Sequence, residues 1–221
     1  MFDTVQLEKR FVALMVAQGR DPGIARRVFE NLDWHYKDRC RRYHTWAHIA
    51  HCLDQFDAAA ASTPADPVIV EIAIWFHDAE YFVHAPPGKN EVLSAMLASN
   101  SLTYLGFDSP FCKEVEQVIH ATVHDGVVSS DEEAFMTDVD LSALGGSYED
   151  VRKDGRQIRA EYAHLRDVEF YAGRAAFLKQ LLQREHLYHL PWFRERFEAR
   201  ARENILRSIT EAEAMVRDTT A

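Results

Sequence analysis

The sequence predicts an all-α protein organised as one domain, and three features carry that expectation. Apolar residues recur at helical spacing, and no alternating strand of useful length is present. Several segments open with helix-start chemistry, an acidic or hydroxyl residue followed by proline, as at Asp21-Pro22, Asp66-Pro67 and Asp108-Ser109-Pro110. The 221 residues contain neither an internal repeat nor a Pro/Ser-rich linker, so a single domain over 1–221 is expected.

Each element has its own signal. Asp3 can cap a first helix ending at Gly19, and Asp21-Pro22 starts a second. A third runs from about Arg42 into the Ala-rich stretch Ala58–Ala61; the Ser62–Pro67 run breaks it and caps a fourth. That fourth helix, Val68 to Phe76, is apolar almost all round, the pattern of a buried central helix or strand, and helical neighbours favour helix. His84 to Lys89 reads as a Pro/Gly loop, and Asn90 as the cap of a helix stopping at Gly106. Another helix opens at Asp108 and ends near Gly126, and the polar run Ser129–Glu133 reads as a loop. Later helices cover roughly Tyr148–His164, Val168–Arg184 and Pro191–Val216. The last mixes Arg194, Arg200 and Arg202 with Glu195, Glu198 and Glu203, which fits a solvated face with i,i+4 ion pairs better than a nucleic-acid stripe.

Composition bounds the function. Twenty-five Lys and Arg against 35 Asp and Glu give a net charge of −10, which argues against long nucleic acids and anionic membranes as partners but leaves a small anionic substrate open. Apolar residues make up 47%, ample for one sizeable core. The 3 cysteines (Cys40, Cys52 and Cys112) form no CxxC pair, which fits a reducing compartment, and Cys40 and Cys52 read as structural. The start MFDTVQLEKR lacks an apolar signal core and no long apolar run follows, so a cytoplasmic protein is expected. The unusual count is 11 histidines.

Three features carry chemistry: Tyr43-His44-Thr45-Trp46-Ala47-His48, then His77-Asp78, then Asp138-Val139-Asp140-Leu141-Ser142. On a helix His44 and His48 are one turn apart with His51 near them, on a different arc from Trp46, Ile49, Leu53 and Phe56. Imidazoles at that spacing suit a divalent metal, although a His-rich surface has the same pattern. His77-Asp78 closes the most apolar helix of the chain, where a carboxylate drawn toward the core requires a proton, a partner or a metal.

The order His48, His77-Asp78, Asp140 resembles the H…HD…D signature of the HD superfamily of metal-dependent phosphohydrolases. Tyr43–His48 is similar to the YHNxxH element of its cyclic-nucleotide phosphodiesterase branch, and Asp140-Leu141-Ser142 to that branch's ADLS element. In more detail the chain resembles small bacterial HD-type phosphohydrolases sharing YHTxxHI, FHDxxY, NExxSA, DxDLSxLG and IRxEY, here Tyr43–Ile49, Phe76–Tyr81, Asn90–Ala95, Asp138–Gly145 and Ile158–Tyr162. The likeness covers a core of about 35–210. It implies His48, His77, Asp78 and Asp140 as metal ligands and His44 as the residue that protonates the leaving oxygen. Asp138 is the rival for Asp140, and the ADLS likeness favours Asp140.

Other positions admit two readings. Glu91 beside Asn90 suits a helix N-terminus, or a carboxylate that orients water in the site, with Ser94 on the same face. His120 and His124, with Glu116 on the same row, are candidates for a second metal or for lining the site, and equally for the surface. Arg159, Tyr162 and Arg174 are candidate substrate contacts, since arginine suits bidentate phosphate binding; Arg159 could instead pair with Glu161. His35, His84, His164, His186 and His189 read as surface or ordinary core residues.

The resemblance implies a phosphohydrolase that cleaves a phosphoester or phosphoanhydride of a nucleotide or other small phosphorylated metabolite. One or two divalent ions (Mn, Zn, Ni, Co, Mg or Fe) would serve it, in a monomer or homodimer. A di-iron oxygenase and a non-catalytic metal- or nucleotide-binding module are the alternatives, the former requiring His120 or His124 as ligands.

Overall fold

Four predicted caps act as caps: the side chains of Asp3, Asp21, Asp66 and Asp108 accept the backbone N–H of Val5, Ile24, Val68 and Phe111 in the first turn that each precedes. The computed structural model describes residues 3–220, which are 74% helix with no strand among them. The helices are α1 (Thr4–Ala17), α2 (Pro22–Tyr36), α3 (Trp46–Ala59), α4 (Pro67–Phe76), α5 (Lys89–Tyr104), α6 (Ser109–His120), α7 (Asp131–Leu141), α8 (Tyr148–Glu161), α9 (Asp167–Leu182), α10 (Pro191–Phe193) and α11 (Ala199–Thr220). Among the described residues, no helix is long and apolar enough to cross a membrane.

The apolar α4 is the central element. Ile69, Val70, Ile72, Ala73, Ile74, Trp75 and Phe76 are all buried, and α3, α5, α6 and α7 pack around them. A helix that is apolar almost all round gains most from neighbours on nearly every side, which is the solution found here. Trp75 anchors an aromatic cluster, meeting Phe11 edge-on at 5.5 Å and Trp46 at 6.0 Å. Because α4 is fixed on all sides, its C-terminal cap residue His77 and the following Asp78 leave the core at a defined point.

Several boundaries differ from the sequence expectation. α3 starts at Trp46 rather than near Arg42, because Thr45 is extended and its hydroxyl accepts the Ala47 N–H. Residues 42–44 are held elsewhere, and His44 is therefore not one helical turn from His48. Asn90 does not cap α5; Gly88, left-handed at φ 76°, precedes it. The Asn90 side chain instead accepts the Phe82 N–H at 3.0 Å and donates to its carbonyl at 3.3 Å, bracing the Pro-rich loop. α6 ends at His120, a 3-10 turn covers Ala121–Val123, and His124 is left-handed at φ 58°. Asp131–Glu133 is no loop but the acidic first turn of α7, capped by the Ser130 hydroxyl.

The mixed-charge C-terminal stretch does more than face solvent. After α10 comes a π turn, Arg194–Glu198. Glu198 accepts the backbone N–H of Leu187 and Tyr188, and Arg194 donates to the carbonyls of Tyr188 and His189, both at 2.7 Å. The expected i,i+4 pair between Arg202 and Glu198 is present at 2.5 Å.

Gly145, which ends the 3-10 turn after α7, lies under this π turn. A Cβ there would sit 2.5 Å from the Phe197 Cβ. Gly145→Ala should therefore destabilise the protein by about 1–3 kcal/mol through overpacking, read as a lower chemical-denaturation midpoint with unchanged slope.

Candidate metal centre

The elements that surround α4 bring the four predicted ligands to one point. His48 leaves the first turn of α3, His77 and Asp78 the end of α4, and Asp140 the last turn of α7. The His48 Nε2 lies 3.0 Å from Asp140 Oδ1, 3.2 Å from His77 Nε2 and 3.4 Å from Asp78 Oδ2. His77 Nε2 lies 3.3 Å from Asp78 Oδ2 and 3.5 Å from Asp140 Oδ1. Donors bound about 2.1 Å from one cation lie roughly 3.0 Å apart at right angles and about 3.4 Å apart at the tetrahedral angle. The donor set and its spacing thus fit a single divalent ion.

The imidazoles are oriented for it. His77 Nδ1 donates to the Ile74 carbonyl at 3.0 Å, which turns Nε2 toward the carboxylates. Burial alone would lower the His77 pKa, but the Asp78 charge and bonds to Asp140 and Asp78 hold it well above its usual value. Burial opposes ionisation of Asp140 too, and bonds from His124, His48 and His77 hold it well below the carboxylate range. Asp78 is depressed in the same way, burial being outweighed by the combined charges and bonds of His77, His44 and His48. Protons and a cation compete for this arrangement.

Cys52, which reads as structural in the sequence, belongs to the same group. With His48, His77 and Asp140 it offers ligand atoms that all lie within 4.8 Å of one another, and its Sγ is 3.7 Å from His48 Nε2. Its position one turn after His48 on α3 was the available signal. Asp138 is placed away from this group. Its carboxylate accepts the backbone N–H of His189 and Leu190, both at 2.7 Å, and burial pushes its pKa up to about 7 against those donors.

The centre lies in a cleft of about 590 Å³. His44 lines it, positioned by Glu161 rather than by helical spacing. One oxygen of Glu161 accepts the N–H of Arg42, Tyr43 and His44 at 2.7, 2.8 and 3.0 Å; the other takes His44 Nδ1 at 2.7 Å. The Tyr81 ring stacks on the His44 imidazole at 3.9 Å, and the Tyr81 hydroxyl donates to that of Tyr162 at 3.2 Å. Only the Nε2 of His44 is left for a ligand. From the other side the buried Arg41 donates to the carbonyls of His44 (3.1 Å), Asp78 (2.5 Å) and Ala79 (2.6 Å), so one guanidinium ties the His44 loop to the His77-Asp78 turn.

Glu91 and His124 also line the cleft. His124 reaches Asp140 Oδ2 at 2.7 Å because its left-handed backbone turns it inward. Among the described residues the buried Glu91 Oε2 and His124 Nδ1 have no hydrogen-bond partner, and burial raises the Glu91 pKa. Ser94 does not meet Glu91; it accepts from the Glu80 N–H at 3.0 Å. His120 is exposed and outside the lining. His51 bonds Ser142 Oγ at 3.0 Å.

The three candidate substrate contacts separate. Tyr162 and Arg174 line the cleft, but Arg159 does not. Its guanidinium is occupied by Asp167 at 2.7 Å and the carbonyls of Tyr162 and Leu165, locking the turn between α8 and α9; it does not pair with Glu161. Arg41 carried no sequence signal. Glu161 did, within the IRxEY element, though not for the role it has.

Burial opposes ionisation of Glu161, but its bonds to His44 and to the backbone keep its pKa below the ordinary 4.5. Its charge therefore stabilises the fold above that pH, and the contribution fades as pH falls through the lower folded value. Glu161→Ala should cost about 3 kcal/mol at neutral pH, and the gap to the unsubstituted protein should narrow in acid, as measured by urea titrations across pH. No protein-family model matches the chain, and comparison with curated proteins finds no match.

Proposed function

We propose that the protein is a metal-dependent phosphohydrolase acting on a small phosphorylated substrate, with a nucleotide as the leading class. The observation that carries this reading is the approach of His48 and His77 to each other and to the carboxylates of Asp78 and Asp140 at 3.0–3.5 Å, with His48, Asp78 and Asp140 lining the cleft. A divalent cation held there would act as a Lewis acid toward phosphoryl oxygen and lower the pKa of water.

The chain's own residues supply the rest. His44, with Nδ1 held by Glu161, presents Nε2 to protonate the departing oxygen. Glu91, its carboxyl raised by burial and without a partner on Oε2, accepts the proton of the attacking water. Tyr43, Tyr81 and Tyr162 wall the reacting end. Arg174 attracts the anion into a cleft that is otherwise rich in carboxylates.

The test is elemental analysis of untagged protein purified without chelator, beside Asp78→Ala, followed by phosphate-release assays over nucleotides. One or two equivalents of divalent metal, lost in Asp78→Ala with helicity retained, would support the reading; a fully active Asp78→Ala would sink it. Two equivalents of iron would favour a di-iron oxygenase instead, for which His124 against Asp140 is the relevant contact. His44→Ala should keep its metal while losing turnover by about 10²–10⁴-fold. Loss of metal in that variant would make His44 a ligand.

A further inference from the structure

We propose that the substrate carries a second anionic group, held by Arg174 where the ligand crosses α9 at Gly173. The proposal rests on the phosphohydrolase reading and adds to it the class of leaving group.

Among the described residues, Arg174 is the single Lys or Arg lining the cleft. Among the described residues its guanidinium has no hydrogen bond or ion pair, and its ring contact is Phe177 at 6.0 Å. The other arginines near the site are engaged differently: Arg41 holds three carbonyls, Arg159 holds Asp167 and two carbonyls, and Arg184 donates to the His124 carbonyl. A half-buried guanidinium whose donors open onto the cleft without a partner is what a bidentate anion would satisfy. Burial pulls its pKa down, against the charges of Tyr43, Tyr81 and Asp154. The Asp154 side chain also lines the cleft and, among the described residues, has no hydrogen bond.

Gly173 gives the second, independent observation. It lies in the interior of α9, where glycine is penalised relative to alanine. Packing does not require it, because an added Cβ would meet nothing within 4 Å. It lines the same cleft, so the missing side chain leaves room for a ligand to lie against the helix beside Arg174. Val151, Ile158, Leu165 and Phe170 make that wall apolar, suited to the carbon body of the leaving group. The class is an organic phosphate whose leaving group bears a carboxylate or a second phosphate, and not a simple alkyl monoester.

The test is calorimetric titration of the metal-loaded protein with phosphonocarboxylates and bisphosphonates of increasing chain length, each against the alkylphosphonate of the same length. At one length the second anion should tighten binding by about tenfold, and the gain should vanish in Arg174→Gln at equal metal content. Which series gains identifies the second group as carboxylate or phosphate. Gly173→Leu should keep or raise the thermal midpoint while weakening that ligand. No gain at any length, or a gain that survives in Arg174→Gln, overturns the proposal. Failure of every phosphonate, the alkyl series included, would overturn the phosphohydrolase reading as well.

Discussion

Charge burial is the constraint around which the molecule is arranged. Two carboxylates and two imidazoles meet beside the most apolar helix of the chain, with His48 and His77 buried. Each such group taken alone is expensive to remove from water. Together they are tolerable because opposite charges and a fixed tautomer compensate one another, and because a divalent cation would complete the balance. α4 makes this arrangement possible by fixing one vertex, the His77-Asp78 turn, against neighbours on all sides. α3 and α7 bring the other two donors to it.

A second set of charges keeps the surrounding backbone in place, and it works through single long-range groups. Glu161 gathers three successive N–H groups and an imidazole, while Arg41 gathers three carbonyls from two segments. Neither arrangement is regular secondary structure. Both satisfy backbone groups that a non-helical loop would otherwise leave unpaired in the interior. Asp138 does the same for the approach to α10, accepting from His189 and Leu190.

How much was legible follows from this division. The helices and their Asp caps could be read because caps and periodicity are local. The donors His48, His77, Asp78 and Asp140 could be listed from their order in the chain, and the fold brings them together. The route to His44 could not be read: helical spacing places it near His48, whereas its position comes from Glu161, 117 residues away. Arg159 and Arg174 look alike as sequence, yet one is locked by Asp167 and the other faces the cleft. His124 reaches Asp140 only because α6 stops and the backbone turns left-handed, which no periodicity reveals. Asn90 has the chemistry of a cap, but Gly88 with its positive φ took that position and freed Asn90 to brace the loop at Phe82.

The spacing of these contacts along the chain has a consequence for biosynthesis. A polypeptide made from its N-terminus has all four candidate metal donors once Asp140 has emerged, but Glu161, Arg174 and the Asp138 partners His189 and Leu190 follow later. If these donors hold a cation, a nascent chain could capture it before the residues that order the His44 loop and complete the cleft exist. The ion would then serve as an early staple between α3, α4 and α7, and the cleft would be completed only by the residues translated from Glu161 onward.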